Sequence, residues 1–345
     1  MTPITKSLAV HGGLLAVAGL LAFRSWTKPT DTSAQHGEVD LWSGTPDQVQ
    51  EVRFESKVGV IRLHPREDSH GKYFIGEVKK NPDPNAKPPA PANSSAPPVP
   101  PAPAEPKLTH FIATKDGADL VQELAPLRAL RVLGKMTDAQ KVDFGMDQDE
   151  GKLSVRYNGQ EKQLVFGGPT PGGTDRYARE LGTGNAYVVS GSILRDLTSA
   201  DQRLTEHRMH QYEDSAVKKA KITAGSAARE LVRSTEKKDA WTKPDAPAAK
   251  DETATNWMTK VDRLRVTSFE TEKLDPPPAP ADMLLKIEYW DERKPIGFIE
   301  LVRRPSATGD KPEYVVRTET TRWYASVIRS AGEQIEQDMK SVVGP

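Results

Sequence analysis

The chain has 345 residues, and its 48 Lys and Arg balance its 48 Asp and Glu to a formal net charge of zero at pH 7. Such a balance offers no basic stripe with which to hold nucleic acid. The absence of cysteine excludes disulfide staples, thiolate metal ligands and a lipoprotein anchor.

Residues 8–23, LAVHGGLLAVAGLLAF, form the one long apolar run, with Lys6 before it and Arg24, Trp26 and Lys28 after it. As a helix rising ~1.5 Å per residue it spans roughly 24 Å, and Trp26 extends it toward the ~30 Å of a hydrocarbon core. A cleavable signal ends in a small-x-small site, but Phe23, Arg24 and Trp26 are bulky or charged. The expectation is therefore an uncleaved signal anchor over residues 1–30, with a cleaved signal as the alternative. The positive-inside count is nearly tied, yet a long following region is translocated largely regardless of its charge. The bulk of the chain is expected outside the cytoplasm. His11, near the helix end, reads as a neutral interface-seeking side chain rather than an intramembrane functional group.

Residues 50–63 (QEVRFESKVGVIRL) place Val52, Phe54, Val58, Val60 and Ile61 in a strand pattern, and residues 73–78 add a further strand. Residues 81–107 hold 11 of the chain's 28 prolines and cannot bury enough surface to offset the entropy of ordering. They read as an extended spacer or looped-out insertion. Phe111 to Ala113 lead to Asp116, a candidate helix N-cap. Leu120, Leu124, Leu127 and Leu130 recur at helical spacing up to Gly134, with Pro126 predicting a kink or a division into two helices. Leu153 to Tyr157 and Gln163 to Phe166 flank Asn158-Gly159, a hairpin signal. Tyr187 to Ser190 reads as a strand and Ile193-Leu194-Leu197 as a short helix. Residues 243–255 and 275–280 read as loops.

The later half replays this order. Ala216 to Ile222 resembles the first strand, with Val217 set against Val52, and Trp241 stands where Tyr73 and Phe74 stood. Trp257, Val261 and Leu264 form a helical stripe, and Leu264-Arg265-Val266 matches Leu130-Arg131-Val132. Leu284 to Tyr289 matches Leu153 to Tyr157, followed by a turn at residues 291–295 and a strand from Ile296 to Leu301. Tyr314 and Tyr324 are spaced like Tyr177 and Tyr187. The fold class expected is α+β: an N-terminal transmembrane helix, then two tandem repeats of a mainly antiparallel sheet with packed helices. Their bounds are 38–200, interrupted by the insertion at 81–107, and 213–341.

Candidate chemistry is sparse. The loop Gly167 to Thr174 (GGPTPGGT) lacks the Gly-Lys-Ser/Thr ending and the Gly-x-Gly-x-x-Gly pattern of phosphate cradles, so it reads as a turn supplying positive φ. His207 and His210 could share a helix face for a metal, but no third ligand follows at a recognisable spacing and Arg208 intervenes. They read as part of a solvated connecting helix, and His64 and His70 as flanking a polar turn. No Gly-x-Ser-x-Gly or His-Glu-x-x-His occurs. No catalytic, cofactor-binding or metal-ligating residue is assigned, and no cofactor is expected.

Val52-Arg53-Phe54, Asp143-Phe144-Gly145-Met146-Asp147, Leu164 to Gly173, Tyr177 and Ala186-Tyr187-Val188-Val189 follow one another behind a short anchor. In that order the chain resembles the bacterial domain-of-unknown-function family numbered 4340, over most of residues 40–200 and weakly beyond. The resemblance implies a partner among ABC-transporter components of the gliding-motility type, and no catalytic residues. The chain departs from the family pattern in its Pro-rich insertion and in a second repeat without the glycine-rich turn.

The leading expectation is a non-enzymatic, single-pass protein of the bacterial inner membrane with its C-terminal bulk in the periplasm. It contacts lipid through the N-terminal helix and serves as an accessory or scaffold subunit of an ABC-type envelope export or motility system. Other envelope proteins are possible partners. A cell-wall or polysaccharide-binding module, using Tyr177, Tyr187, Trp290, Trp323 and Tyr324, is the alternative. An envelope hydrolase is the third reading.

Overall fold

Short segments rich in Val, Ile, Leu and aromatic residues at alternating positions dominate the chain, and they pair into two antiparallel sheets. The computed structural model describes residues 35–81, 107–147, 150–237, 239–270, 279, 282–306 and 311–344. The apolar run at 8–23 and residues 82–106 of the Pro-rich tract lie outside the described residues. Among those described, no helix is long and apolar enough to cross a membrane.

The first sheet has ten strands: β1 Gln35–Trp42, β2 Val49–Glu55, β3 Gly59–Asp68, β4 Gly71–Lys80, β5 Lys107–Ala113, β6 Leu127–Lys135, β7 Gly151–Tyr157, β8 Gln160–Pro169, β9 Asp175–Glu180 and β10 Asn185–Ser190. The second has eight: β11 Lys219–Ala224, β12 Ala227–Arg233, β13 Trp241–Thr242, β14 Val266–Phe269, β15 Met283–Trp290, β16 Pro295–Arg304, β17 Glu313–Thr318 and β18 Ala325–Val327. Helices α1 Lys115–Leu124, α2 Asp138–Asp143, α3 Gly191–Thr198 and α4 Ala200–Arg203 accompany the first sheet. Helices α5 Glu252–Asp262 and α6 Arg329–Val343 pack together on the second.

The first sheet runs β1-β6-β10-β9-β8-β7-β2-β3-β4-β5 and the second β13-β12-β11-β15-β16-β17-β18-β14. Matching β2, β3 and β4 with β11, β12 and β13, β6 with β14, and β7 to β10 with β15 to β18 makes the orders coincide. The first sheet then carries β5 and β1 as extra edge strands. Residue register refines the correspondence. Val52 faces Val155 and Ile222 faces Ile287 in equivalent pairs, so Ile222, not Val217, stands in Val52's place. The match of Val132 with Val266 holds, since they pair with Tyr187 and Val327. The tyrosine spacing does not carry over. Arg303 faces Tyr314 where Phe166 faces Ala178, so Tyr314 replaces Ala178 and Val327 replaces Tyr187.

Local readings hold where pattern and pairing agree. Asn158 (φ 46°) and Gly159 (φ 81°) turn the β7–β8 hairpin as expected of this dipeptide. Elsewhere pairing overrides the local period. The leucine stripe does not continue as helix: α1 ends at Leu124, and Leu127 and Ala129 point into the core from β6. Pairing with β1 and β10 satisfies the backbone of 127–135 more completely than a helix continued past Pro126 could. Thr114, rather than Asp116, occupies the N-cap of α1, and Asp116 lies in the first turn, where a carboxylate favours the helix dipole. Residues 252–255, expected as loop, open α5, which Asp251 caps by accepting from Ala254 N.

One contiguous apolar core runs through both sheets and takes in Leu204 and Met209 of the segment joining them. In α1 it buries Leu120, Val121 and Leu124, each worth about 1.5–3 kcal/mol on burial. In α5, Trp257 is buried and its Nε1 donates to Ile335 O of α6 at 3.0 Å. The edge strands β5 and β14 lie against each other where the two sheets meet.

Candidate interaction surface

The segments that carry the family resemblance are scattered in sequence but meet in space. Thr137 and Gln140 form a capping box at the start of α2. At its end, Gly145 N donates to Val142 O and Met146 N to Lys141 O, with Gly145 at φ +63°. That is the Schellman arrangement, in which a glycine adopts the left-handed conformation that ends a helix. The turn presents Phe144 O to Gly168 N of β8 at 2.8 Å.

This contact requires glycine on both sides. A Cβ on Gly167 would lie 2.6 Å from Phe144 O, and one on Gly145 would lie 3.0 Å from Gly168 N. The Phe144 ring stacks on Tyr177 of β9, with centroids 4.2 Å apart and planes 16° apart. Asp143 to Asp147, Gly167 to Gly173 and Tyr177 are therefore one loop-on-hairpin assembly. The glycine-rich loop is the β8–β9 turn, as expected, with Gly172 (φ 107°) and Gly173 (φ 77°) in left-handed conformations. Thr170 N donates to Asp175 O and Gly173 N to Thr170 O within it.

The outward side of this assembly sets a few apolar side chains among exposed charged ones, Lys141, Asp143 and Asp147. Val142 is 65% exposed, and Phe144, Met146 and Tyr177 are half-buried. Behind the turn a cavity of about 570 Å³ is bordered by Thr174, Arg176, Arg195 and Glu150. Arg176 Nε lies 3.5 Å from Glu150 Oε2, so these two charges are already committed to each other. In the second sheet Arg304 and Pro305 stand in place of Gly167 and Gly168. The assembly is thus a property of the first sheet.

Among the described residues the histidines do not gather. Residues 204–213 contain no helix, contrary to the connecting helix expected for them. The cause is tertiary: Glu206 N donates to Ile112 O at the end of β5, and Leu204, Thr205, Glu206 and Met209 turn inward. His207 is exposed, whereas His210 reaches Glu319 at 2.7 Å. His64 lies within β3, and the His70 ring tilts over Phe298 of the second sheet at 5.8 Å. Among the described residues no group of three or more His, Asp or Glu is arranged to hold a metal ion.

The aromatic residues considered for sugar stacking are engaged within the protein. Tyr187 and Trp323 are buried, and Tyr177 is covered on one face by Phe144. Lys219 lies over Trp290 at 4.9 Å and Arg317 over Tyr324 at 5.2 Å.

Two residues that the sequence did not single out hold the junction: Glu206 fastens the linker to the first sheet, and Arg322 joins the second sheet to the first. Glu206 is buried after α4, and it accepts from Arg208 Nε and Nη2, both at 2.9 Å, and from the Thr114 hydroxyl. Burial alone would raise its pKa, but the Arg208 and Thr114 hydrogen bonds hold the carboxyl below the usual carboxylate range. Arg322, in the β17–β18 loop, reaches across to the β3–β4 turn. Neither had a signal beyond being a charged residue in a polar stretch.

No curated protein and no solved structure matches the chain. A family match covers residues 113–283, from the end of β5 to the start of β15. It therefore omits Val52-Arg53-Phe54 and crosses the linker into the second sheet, a different span from the 40–200 expected. Over this match, which contains the Phe144 turn, the glycine-rich hairpin and Tyr177, the chain resembles the family described as a domain of unknown function, DUF4340.

Proposed function

We propose that the chain is a non-enzymatic accessory or scaffold subunit of an ABC-type envelope export or motility system. Residues 1–30 anchor it in a bacterial inner membrane, and the two sheets stand in the periplasm as a duplicated unit bounded at 38–200 and 213–341. The observation that carries this reading is the Phe144 assembly. There the motif residues combine into a rigid loop-on-hairpin assembly that leaves Val142 exposed, with Phe144, Met146 and Tyr177 half-buried beside it, among charged side chains. An exposed apolar side chain ringed by polar ones and held on a rigid support suits the anchor-and-rim arrangement of a protein contact. The matching strand orders support the duplication.

Affinity purification of the full-length chain in gentle detergent tests the proposal. Permease or ATPase subunits are expected to co-purify, and Val142→Asp is expected to reduce their recovery at least about tenfold, as loss of an interface anchor would. Recovery of the wild-type chain alone would overturn it. The polysaccharide-binding reading is weaker, because each aromatic ring it needs is buried or already faces a cation or another ring.

A further inference from the structure

The linker between the sheets and the β17–β18 loop share a polar cluster that a scaffold has no evident need of. His210 Nδ1 and Glu319 Oε1 are 2.7 Å apart, with side-chain exposures of 16% and 10%. Glu319 Oε2 accepts from Phe298 N at 2.8 Å. The imidazole stacks on Tyr212 at 4.7 Å and meets the edge of Tyr289 at 5.0 Å. Gly297 permits this closeness, since a Cβ there would lie 2.5 Å from the Tyr212 ring and 2.6 Å from Glu319 Oε2. His210 Nε2 and the hydroxyls of Tyr212 and Tyr289 are buried with no hydrogen-bond partner among the described residues.

The charges around the imidazole are mostly negative. Glu319 comes from the β17–β18 loop, Asp262 from the end of α5 and Asp214 from the linker. Against them stand Arg233 of β12, which pairs with Asp214, and Arg265 before β14. The same loop continues to Arg322, which donates to Glu319 O and to His70 O. Glu319 therefore connects the linker, through three residues of loop, to the contact between the two sheets.

We propose that His210 is a proton-operated lock on the junction: its protonated form fixes the β17–β18 loop through Glu319 and thereby holds Arg322 on the β3–β4 turn. Neutral imidazole donates one hydrogen bond to the carboxylate, and imidazolium adds to it the attraction of opposite charges. The loop itself has two anchorages, one on each sheet, so tightening one restricts the other. This device is independent of whether the Phe144 surface binds a transporter.

Hydrogen–deuterium exchange on the detergent-solubilised full-length chain at pH 5.5 and pH 8.0, corrected for intrinsic exchange, tests it. Protection of residues 318–324 and 68–73 is expected to be about threefold to tenfold higher at pH 5.5, the scale of one strengthened hydrogen bond. His210→Gln keeps a neutral donor and is expected to abolish this difference at both segments. Arg322→Ala is expected to release 68–73 at both pH values while residues 318–321 keep their pH dependence. Equal protection at the two pH values in the wild type, or an undiminished difference in His210→Gln, would overturn the lock. Because the wild-type profile stands alone, a variant that fails to fold does not remove the test.

Discussion

Arg322 Nη2 donates to the carbonyl oxygen of His70 at 2.9 Å, joining a loop of the second sheet to a turn of the first. Its Nε lies 3.4 Å from Asp68 Oδ2, and its guanidinium sits 5.3 Å from the Tyr73 ring centroid. The side chain is only 4% exposed, and the backbone stands at φ +60°, a conformation a residue with a Cβ adopts only when its surroundings hold it there.

Arg322→Ala is expected to destabilise the junction by about 1–3 kcal/mol, the range for hydrogen bonds to a charged group. Arg322→Gly should be milder by roughly 1 kcal/mol, because glycine accepts positive φ without penalty. Denaturant unfolding of the two variants measures both values. Equal stability of Arg322→Ala and wild type would show that the contact contributes nothing.

Gly167→Ala is expected to push the Phe144 turn away from β8, since the new methyl would lie 2.6 Å from Phe144 O. The cost should be about 1–3 kcal/mol, typical of forced overpacking. The stacking of Phe144 on Tyr177 should loosen with it, which shows as increased exchange over residues 142–147. Gly182→Ala is the control, as a Cβ there meets nothing within 4 Å.

Tyr157 and Tyr289 occupy equivalent places in β7 and β15, yet their hydroxyls differ. Tyr157 Oη donates to Leu124 O at the end of α1 at 2.5 Å, whereas Tyr289 Oη is buried with no partner among the described residues. Tyr157→Phe should therefore cost about 1–2 kcal/mol, through a lost bond and an orphaned carbonyl. Tyr289→Phe should be neutral or stabilising. Paired melting measurements distinguish the two, and a reversed ranking would refute this assignment.

Glu206 links stability to pH. Its carboxyl is held below the usual range in the folded chain, so its contribution is fully present above the unfolded value of about 4.3 and is lost as pH falls through the folded value. Glu206→Gln is expected to lower stability at pH 7 and to flatten the acid limb of the stability curve. Urea titrations between pH 7 and pH 3 read both effects. An unchanged acid limb in the variant would place the titrating group elsewhere.

The hairpin at Asn158-Gly159, the strands around Val52, Val155 and Ile287, and the turn at Gly172-Gly173 were legible because local chemistry alone selects them. A dipeptide that tolerates positive φ, or an alternation that faces one side inward, needs no distant partner to be recognised. The candidate surface was legible only in pieces. Phe144, Gly168 and Tyr177 stand out as motif residues, but no spacing rule brings a helix end onto a hairpin.

The strand content, the antiparallel α+β class and the replayed order of elements were determined by the sequence itself, through side-chain periodicity and turn residues. Tertiary structure decided the rest. Residues 127–135 became strand because β1 and β10 offered pairing on both sides, and residues 204–213 lost their expected helix because Glu206 docks on β5. The register that replaces Val217 with Ile222 and Tyr187 with Val327 also follows from pairing, since antiparallel strands slide in steps that composition does not mark. The same holds for Arg322 and His210. Their partners lie far along the chain, and only the folded arrangement of backbone carbonyls and carboxylates gives those side chains something to hold.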